Sequence, residues 1–137
     1  MRVIIIASLL GLAACGGSPL DGTWDGPSAT TLGTTYHAEV ALNGDGTLTY
    51  SLIGSGACNG TQLYTGYTWA SDNVTLTFSG TPTCTGSINC GAISFNCQQA
   101  QQSTLGACDY VLTNSNDTLT TTNCSNSSLD TTWTRAK

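Results

Sequence analysis

The chain has 137 residues, a formal charge of −5 and only 8% charged residues, with one His and seven Cys. That charge balance excludes a basic nucleic-acid binder, and the length fits one domain with a single modest core. The encoded surface is polar but scarcely ionic, as in many exported β-proteins; acidic disordered tails lack the aromatic residues found here.

Met1 and Arg2 precede a nearly unbroken apolar run over residues 3–14, the charged, apolar, then small layout of an export signal. A bilayer-spanning helix needs roughly 20 apolar residues, and Gly16, Gly17, Ser18 and Pro19 end the run before that. Leu12-Ala13-Ala14-Cys15 resembles the lipobox of bacterial lipoproteins. The resemblance implies cleavage before Cys15, a diacylglycerol on its sulfur and usually a third chain, of the palmitate kind, on its new amino group. At roughly 0.8 kcal/mol per buried methylene, two or three chains hold a small protein on a membrane almost permanently. Gly16 stands where a lipoprotein retained in the inner membrane often has Asp, which points to the outer membrane. The alternative is an ordinary secretory leader with a chance Cys after it.

Residues 1–14 are therefore expected as a signal peptide, 15–20 as a lipidated tether and 21–137 as the folded domain. The residues after Cys15 reach at most about 18 Å when extended, which keeps the domain close to the membrane. Loss of Arg2 with the leader takes the formal charge from −5 to −6, with Arg135 and Lys137 against eight carboxylates.

A short first strand is expected around Trp24, followed by a long Gly, Pro, Ser and Thr-rich loop to Thr35. Tyr36, Ala38, Val40 and Leu42 then alternate with His37 and Glu39, the mark of a half-buried strand. Asn43-Gly44-Asp45-Gly46 turns the chain, and Leu48, Tyr50 and Leu52 complete the clearest hairpin. That turn is no EF-hand, because the twelfth position counted from Asn43 is Gly54 rather than Glu.

Leu63, Thr65, Tyr67 and Trp69 alternate before Ser71-Asp72-Asn73, and Val74, Leu76 and Phe78 after it, which predicts a second hairpin. The pattern fails over residues 80–91, which read as a loop pinned by disulfides. Ile93 and Phe95 suggest a short strand, and residues 98–102 one helical turn or a polar loop. Residues 108–113 and 118–124 flank the turn cluster Asn114-Ser115-Asn116-Asp117 as a third hairpin. A last strand is expected over residues 130–135.

With Cys15 set aside, Cys58, Cys84, Cys90, Cys97, Cys108 and Cys124 remain. An even number in an exported chain reads as three disulfides, with 15 pairings open. A metal site is disfavoured, because the spacings are not the close pairs of zinc ribbons and His37 is the single histidine. Register governs the Cys108–Cys124 bridge, which we favour. A three-residue loop sets these cysteines opposite each other, whereas a two- or four-residue loop sends them to opposite faces; joining them needs Cβ atoms about 4 Å apart.

Eight or nine short strands without crossover helices make an antiparallel sheet, folded as a sandwich or closed as a barrel. Repeated hairpins favour an all-β, up-and-down barrel of about eight strands. Gly22-Thr23-Trp24 matches the Gly-x-Trp of the first lipocalin strand, and Trp133-Thr134-Arg135 resembles the last, whose Arg packs over that Trp to close the barrel. Cys108-Asp109-Tyr110 is similar to a lipocalin loop motif, with Cys for Thr. The chain thus resembles a compact lipocalin-like barrel over residues 22–135, shorter than a lipocalin and without its C-terminal helix. The resemblance implies that Arg135 stacks on Trp24, gaining about 1–2 kcal/mol in a partly dry site. The plain alternative is a core tryptophan and a solvated arginine.

An enzyme is not expected. A Ser-His-Asp arrangement would have to recruit His37 from an ordinary strand position, and nearly all the aspartates fall in turn clusters, where Asp is common anyway. No cofactor is implied. The leading expectation is a membrane-anchored envelope lipoprotein whose barrel holds a small apolar ligand among Tyr50, Trp69 and Phe78; the alternative is that these side chains fill the core. The second expectation is a protein-binding or structural envelope module, for instance an enzyme inhibitor, acting through the disulfide-fixed residues 80–91.

Overall fold

A computed structural model describes residues 17–97 and 105–137. Cys15 and the turn expected at residues 98–102 lie outside the described residues. Within them the chain forms β1 (Gly22–Thr31), β2 (Thr34–Leu42), β3 (Thr47–Gly56), β4 (Asn59–Ser71), β5 (Thr75–Cys90), β6 (Ile93–Asn96), β7 (Ala107–Thr113), β8 (Thr118–Thr122) and β9 (Thr132–Arg135). Among the described residues, a 3₁₀ turn at Ser127–Leu129 precedes the last strand.

All nine strands belong to one antiparallel sheet, and that sheet rings round. Each of β1 to β5 pairs with the next, β5 pairs with β7, and β8 and β9 lead back to β1. β6 lies outside this ring, on the far part of β5. The lower end of the ring carries the N-terminal segment and the turns around Asp45, Asp72 and Ser115. The upper end carries three hairpin tips. These are tied together by the Ala57 amide on the Gly33 carbonyl (3.0 Å), the Cys58 amide on the Thr34 hydroxyl (3.0 Å) and the Cys58–Cys90 disulfide.

The hairpins form where turn chemistry and alternation agree. Asp45 accepts from the Thr47 amide at 2.9 Å beside Gly46 at φ +82°, and Asp72 accepts from the amides of Val74 and Thr75 at 2.8 and 2.7 Å. The core gathers the inward side chains of the ring, led by Trp24, Leu42, Leu48, Leu76, Leu119 and Trp133. Leu20 joins them at 1% exposure. The Pro19 carbonyl accepts from the Arg135 guanidinium at 2.6 Å, so Pro19 and Leu20, expected as the end of a tether, are held by the folded body instead.

Two segments expected as loops are strands. β1 runs on from Trp24 to Thr31 and turns through Leu32 and Gly33, both at positive φ (50 and 77°), as the primed two-residue hairpin turns require. A register shift between Asp25 and Ser28 places Gly26 and Pro27 in a bulge, where a residue without an N–H is tolerated. Likewise β5 continues through Pro82 to Cys90 and pairs along most of its 16 residues with β4. Both stretches are largely exposed, so no apolar alternation marked them.

Two further bulges reset which way side chains point. At Gly66 the β4 ladder shifts by one residue against both neighbours. Tyr64 and Tyr67 therefore both face the core, while Leu63 and Thr65, expected on the face of Tyr67, lie on the other. The β7–β8 turn is the four-residue Asn114 to Asp117, so Leu112 faces Leu119 and the ladder by itself would bring Cys108 opposite Asn123. Asn123 at φ +52° adds one residue, and the Ser125 amide then bonds the Ala107 carbonyl at 2.9 Å. That extra residue carries Cys124 onto Cys108, and the two are joined. Cys84 pairs with Cys97. Val74, expected on the inward face, sits in the turn at 63% exposure.

Candidate functional site

Inside the ring, a cavity of about 20 Å³ remains between Trp24, Leu48, Tyr50, Phe78, Leu105 and Trp133. A single water needs about this much room, so the interior is filled by side chains. Tyr50 and Phe78 are part of that filling. Trp69 packs against the same core but does not line the cavity, and its indole N–H donates to the Asn43 carbonyl at 3.0 Å. The three aromatics expected to line one ligand cavity do not share one.

Space opens one layer higher, at the mouth. A cavity of about 250 Å³ lies against Pro27 and Ala29 of β1, Tyr36 to Ala38 of β2, Tyr50 and Leu52 of β3, and Leu129 with Trp133 on the opposite side. Tyr50, Leu129 and Trp133 border both the filled interior and the mouth, so together they form the partition between them. Alternation predicts Tyr36, Ala38, Tyr50 and Leu52 as inward residues; the contribution of Leu129 carried no signal beyond one apolar residue after Asn126.

Tertiary bonds fix the far wall. The Trp133 indole N–H donates to the Thr121 hydroxyl at 3.1 Å, and that hydroxyl donates in turn to the Leu129 carbonyl. Asn126 caps the 3₁₀ turn through the Ser128 amide at 3.1 Å, Asp130 accepts from the Cys124 amide at 2.9 Å, and the Cys108–Cys124 bridge anchors the segment. The wall is thus set before any ligand arrives, which lowers the ordering cost of binding.

The mouth is nearly free of charge. Among the described residues, His37 is the one basic residue that borders it, and no carboxylate does. Tyr50 meets Tyr64 edge-on, with ring centroids 5.6 Å apart. Burial above all, and then the neighbouring Tyr64 and Tyr67, push the Tyr50 phenol above the ordinary tyrosine range. Its hydroxyl has no hydrogen-bond partner among the described residues and is available to a polar atom of a ligand.

At the lower end the Arg135 guanidinium lies 4.2 Å over the Trp24 ring, and the two residues face each other across the β1–β9 pairing. Its nitrogens also reach the Asp21 carbonyl (2.6 Å) and the Asn116 carbonyl (3.0 Å), with Asp117 at 3.7 Å. Trp24 in turn donates its indole N–H to the Leu20 carbonyl at 2.9 Å. First strand, last strand and N-terminal segment meet on this one stack.

Among the described residues, no group of three or more His, Cys, Asp or Glu is placed to hold a metal ion. Comparison with protein-family models, curated proteins and solved structures finds no match to this chain.

Proposed function

We propose that this protein is a non-enzymatic, lipid-anchored envelope module with a lipocalin-like barrel, which binds a small neutral apolar or aromatic molecule at the mouth of the ring. The observation that carries the reading is the open cavity of about 250 Å³ with an aromatic floor above a filled interior. That volume lies just below the roughly 300–1,000 Å³ of typical small-molecule sites, so it suits a small ligand or one end of a longer one. The absence of carboxylates, Lys and Arg from its lining favours a neutral ligand, with one polar atom turned to the Tyr50 hydroxyl.

The anchor is argued from the leader and the lipobox at Cys15, with the outer membrane favoured by Gly16. Three disulfides support folding in an oxidising compartment. Labelled palmitate supplied to the host is expected to enter the full chain and not its Cys15→Ala variant; equal labelling of both sinks the anchor.

Trp133 on the cavity floor reports binding. Intrinsic fluorescence of the full chain, titrated with small neutral aromatics and medium-chain fatty alcohols, is expected to change saturably. Tyr50→Ala should weaken that binding about tenfold, the effect of losing about 1.4 kcal/mol of contact. No saturable change with any of these probes would end the ligand reading. The alternative, a protein-binding or structural module acting through residues 80–91, would present an exposed, disulfide-held strand there rather than a loop.

A further inference from the structure

We propose that the protein self-associates through β6, two copies pairing this strand antiparallel across a two-fold axis at Phe95. The Cys97 amide bonds the Gly86 carbonyl at 3.2 Å, and Phe95 stands opposite Ile88 in the same ladder. Hydrogen-bonded pairs alternate along an antiparallel ladder, so Phe95 turns its backbone groups toward β5, and Ser94 and Asn96 turn theirs away. No described strand lies beyond that edge. It is a template for another extended chain, and natural edges are blunted by shortness, charge or proline. β6 is four residues long and carries neither charge nor proline.

Ile93 and Phe95 stand on one face of the edge, 61% and 54% exposed. Pairing Ser94 with Asn96 of a second copy satisfies the outward groups of both strands and sets the two Phe95 rings beside each other in a closely spaced, non-hydrogen-bonded pair. Such an arrangement is self-complementary, as a two-fold interface must be.

Charge selects the same face. Over residues 46–108 the only Asp, Glu, Lys or Arg is Asp72, which lies in the lower turn, so the sheet around β6 carries no formal charge. Two copies, each with a formal charge of −5 over the full chain, meet here without bringing carboxylates together. Because the paired strands run antiparallel and β6 lies near the upper end, the two N-terminal ends point away from each other. Pairing therefore joins copies on facing surfaces or free in solution, not neighbours standing on one surface.

A contact this small falls below the roughly 1,200 Å² of stable interfaces and is a weak, reversible one. Sedimentation equilibrium of the full chain in density-matched detergent is expected to show the mass rising toward the dimer between about 10 μM and about 1 mM. Ser94→Pro removes one outward N–H and leaves the β5 ladder intact; it should weaken association at least about tenfold with an unchanged circular dichroism spectrum. Phe95→Lys, which keeps the backbone, should do the same and decides the matter if the proline variant unfolds. Val111→Lys, at an exposed apolar position on β7, should associate like the parent. A chain that stays monomeric throughout this range overturns the proposal, as does a dimer that persists in the folded variants. Binding of an added extended peptide without self-association would assign the edge to another partner.

Discussion

Arg135 does three jobs from one position. Its guanidinium covers the Trp24 face, bonds the carbonyls of Asp21 and Pro19, and draws the N-terminal segment onto the last strand. Lysine has neither the planar fork nor the stacking surface to replace it. In a double-mutant cycle by urea denaturation, Trp24→Ala and Arg135→Ala are expected to couple by about 1–2 kcal/mol; strict additivity would mean that the stack contributes nothing. Tyr50 matters through its burial. Its phenol is raised above the usual 10.0, so its contribution to stability is intact below pH 10 and is lost as the pH rises from there through the folded-state value. Alkaline unfolding should therefore begin near pH 10, and Tyr50→Phe should flatten that limb of the stability curve; an identical profile would leave Tyr50 without a part in it.

The segment from Asn123 to Thr131 shows how an element without regular structure is made rigid. One residue at positive φ, Asn123, converts a four-residue turn that would separate Cys108 and Cys124 into a pairing that joins them. With the bridge in place, Thr121, Asn126 and Asp130 fix the 3₁₀ turn and its Leu129 against the mouth. For a closed loop of this size, chain-entropy reasoning assigns the bridge about 3 kcal/mol. Cys108→Ala with Cys124→Ala should lose about 2–4 kcal/mol in urea denaturation and speed hydrogen exchange at the Ser125 and Leu129 amides. Unchanged exchange there would show that the hydrogen bonds alone hold the wall. A comparable fastening acts at the upper end, where the Cys58–Cys90 bridge ties the β3–β4 tip to the β5–β6 tip.

Across the whole molecule, covalent links substitute for the ionic network that so few charges cannot provide. Among the described residues the one ion pair is Arg135 with Asp117, at 3.7 Å and largely exposed, which contributes little. Three disulfides closing separations of 13, 16 and 32 residues stabilise the chain by restricting its unfolded state. Full reduction is expected to lower the melting temperature by more than about 20 °C, since each bridge contributes about 2–4 kcal/mol and each kilocalorie shifts the midpoint of a domain this size by several degrees. A melting curve unaffected by reductant would contradict that account. The β class, the hairpins around Asp45, Asp72 and Ser115, and the even set of cysteines are legible along the chain, because turn chemistry and two-residue alternation are written locally. How those pieces face one another is a property of the folded sheet. A bulge is a count of two residues against one on a partner strand, and the partner is not visible along the chain. Gly26 with Pro27, Gly66 and Asn123 each shift the alternation by one at such a place. Those shifts turned Tyr64 inward and brought Cys124 onto Cys108.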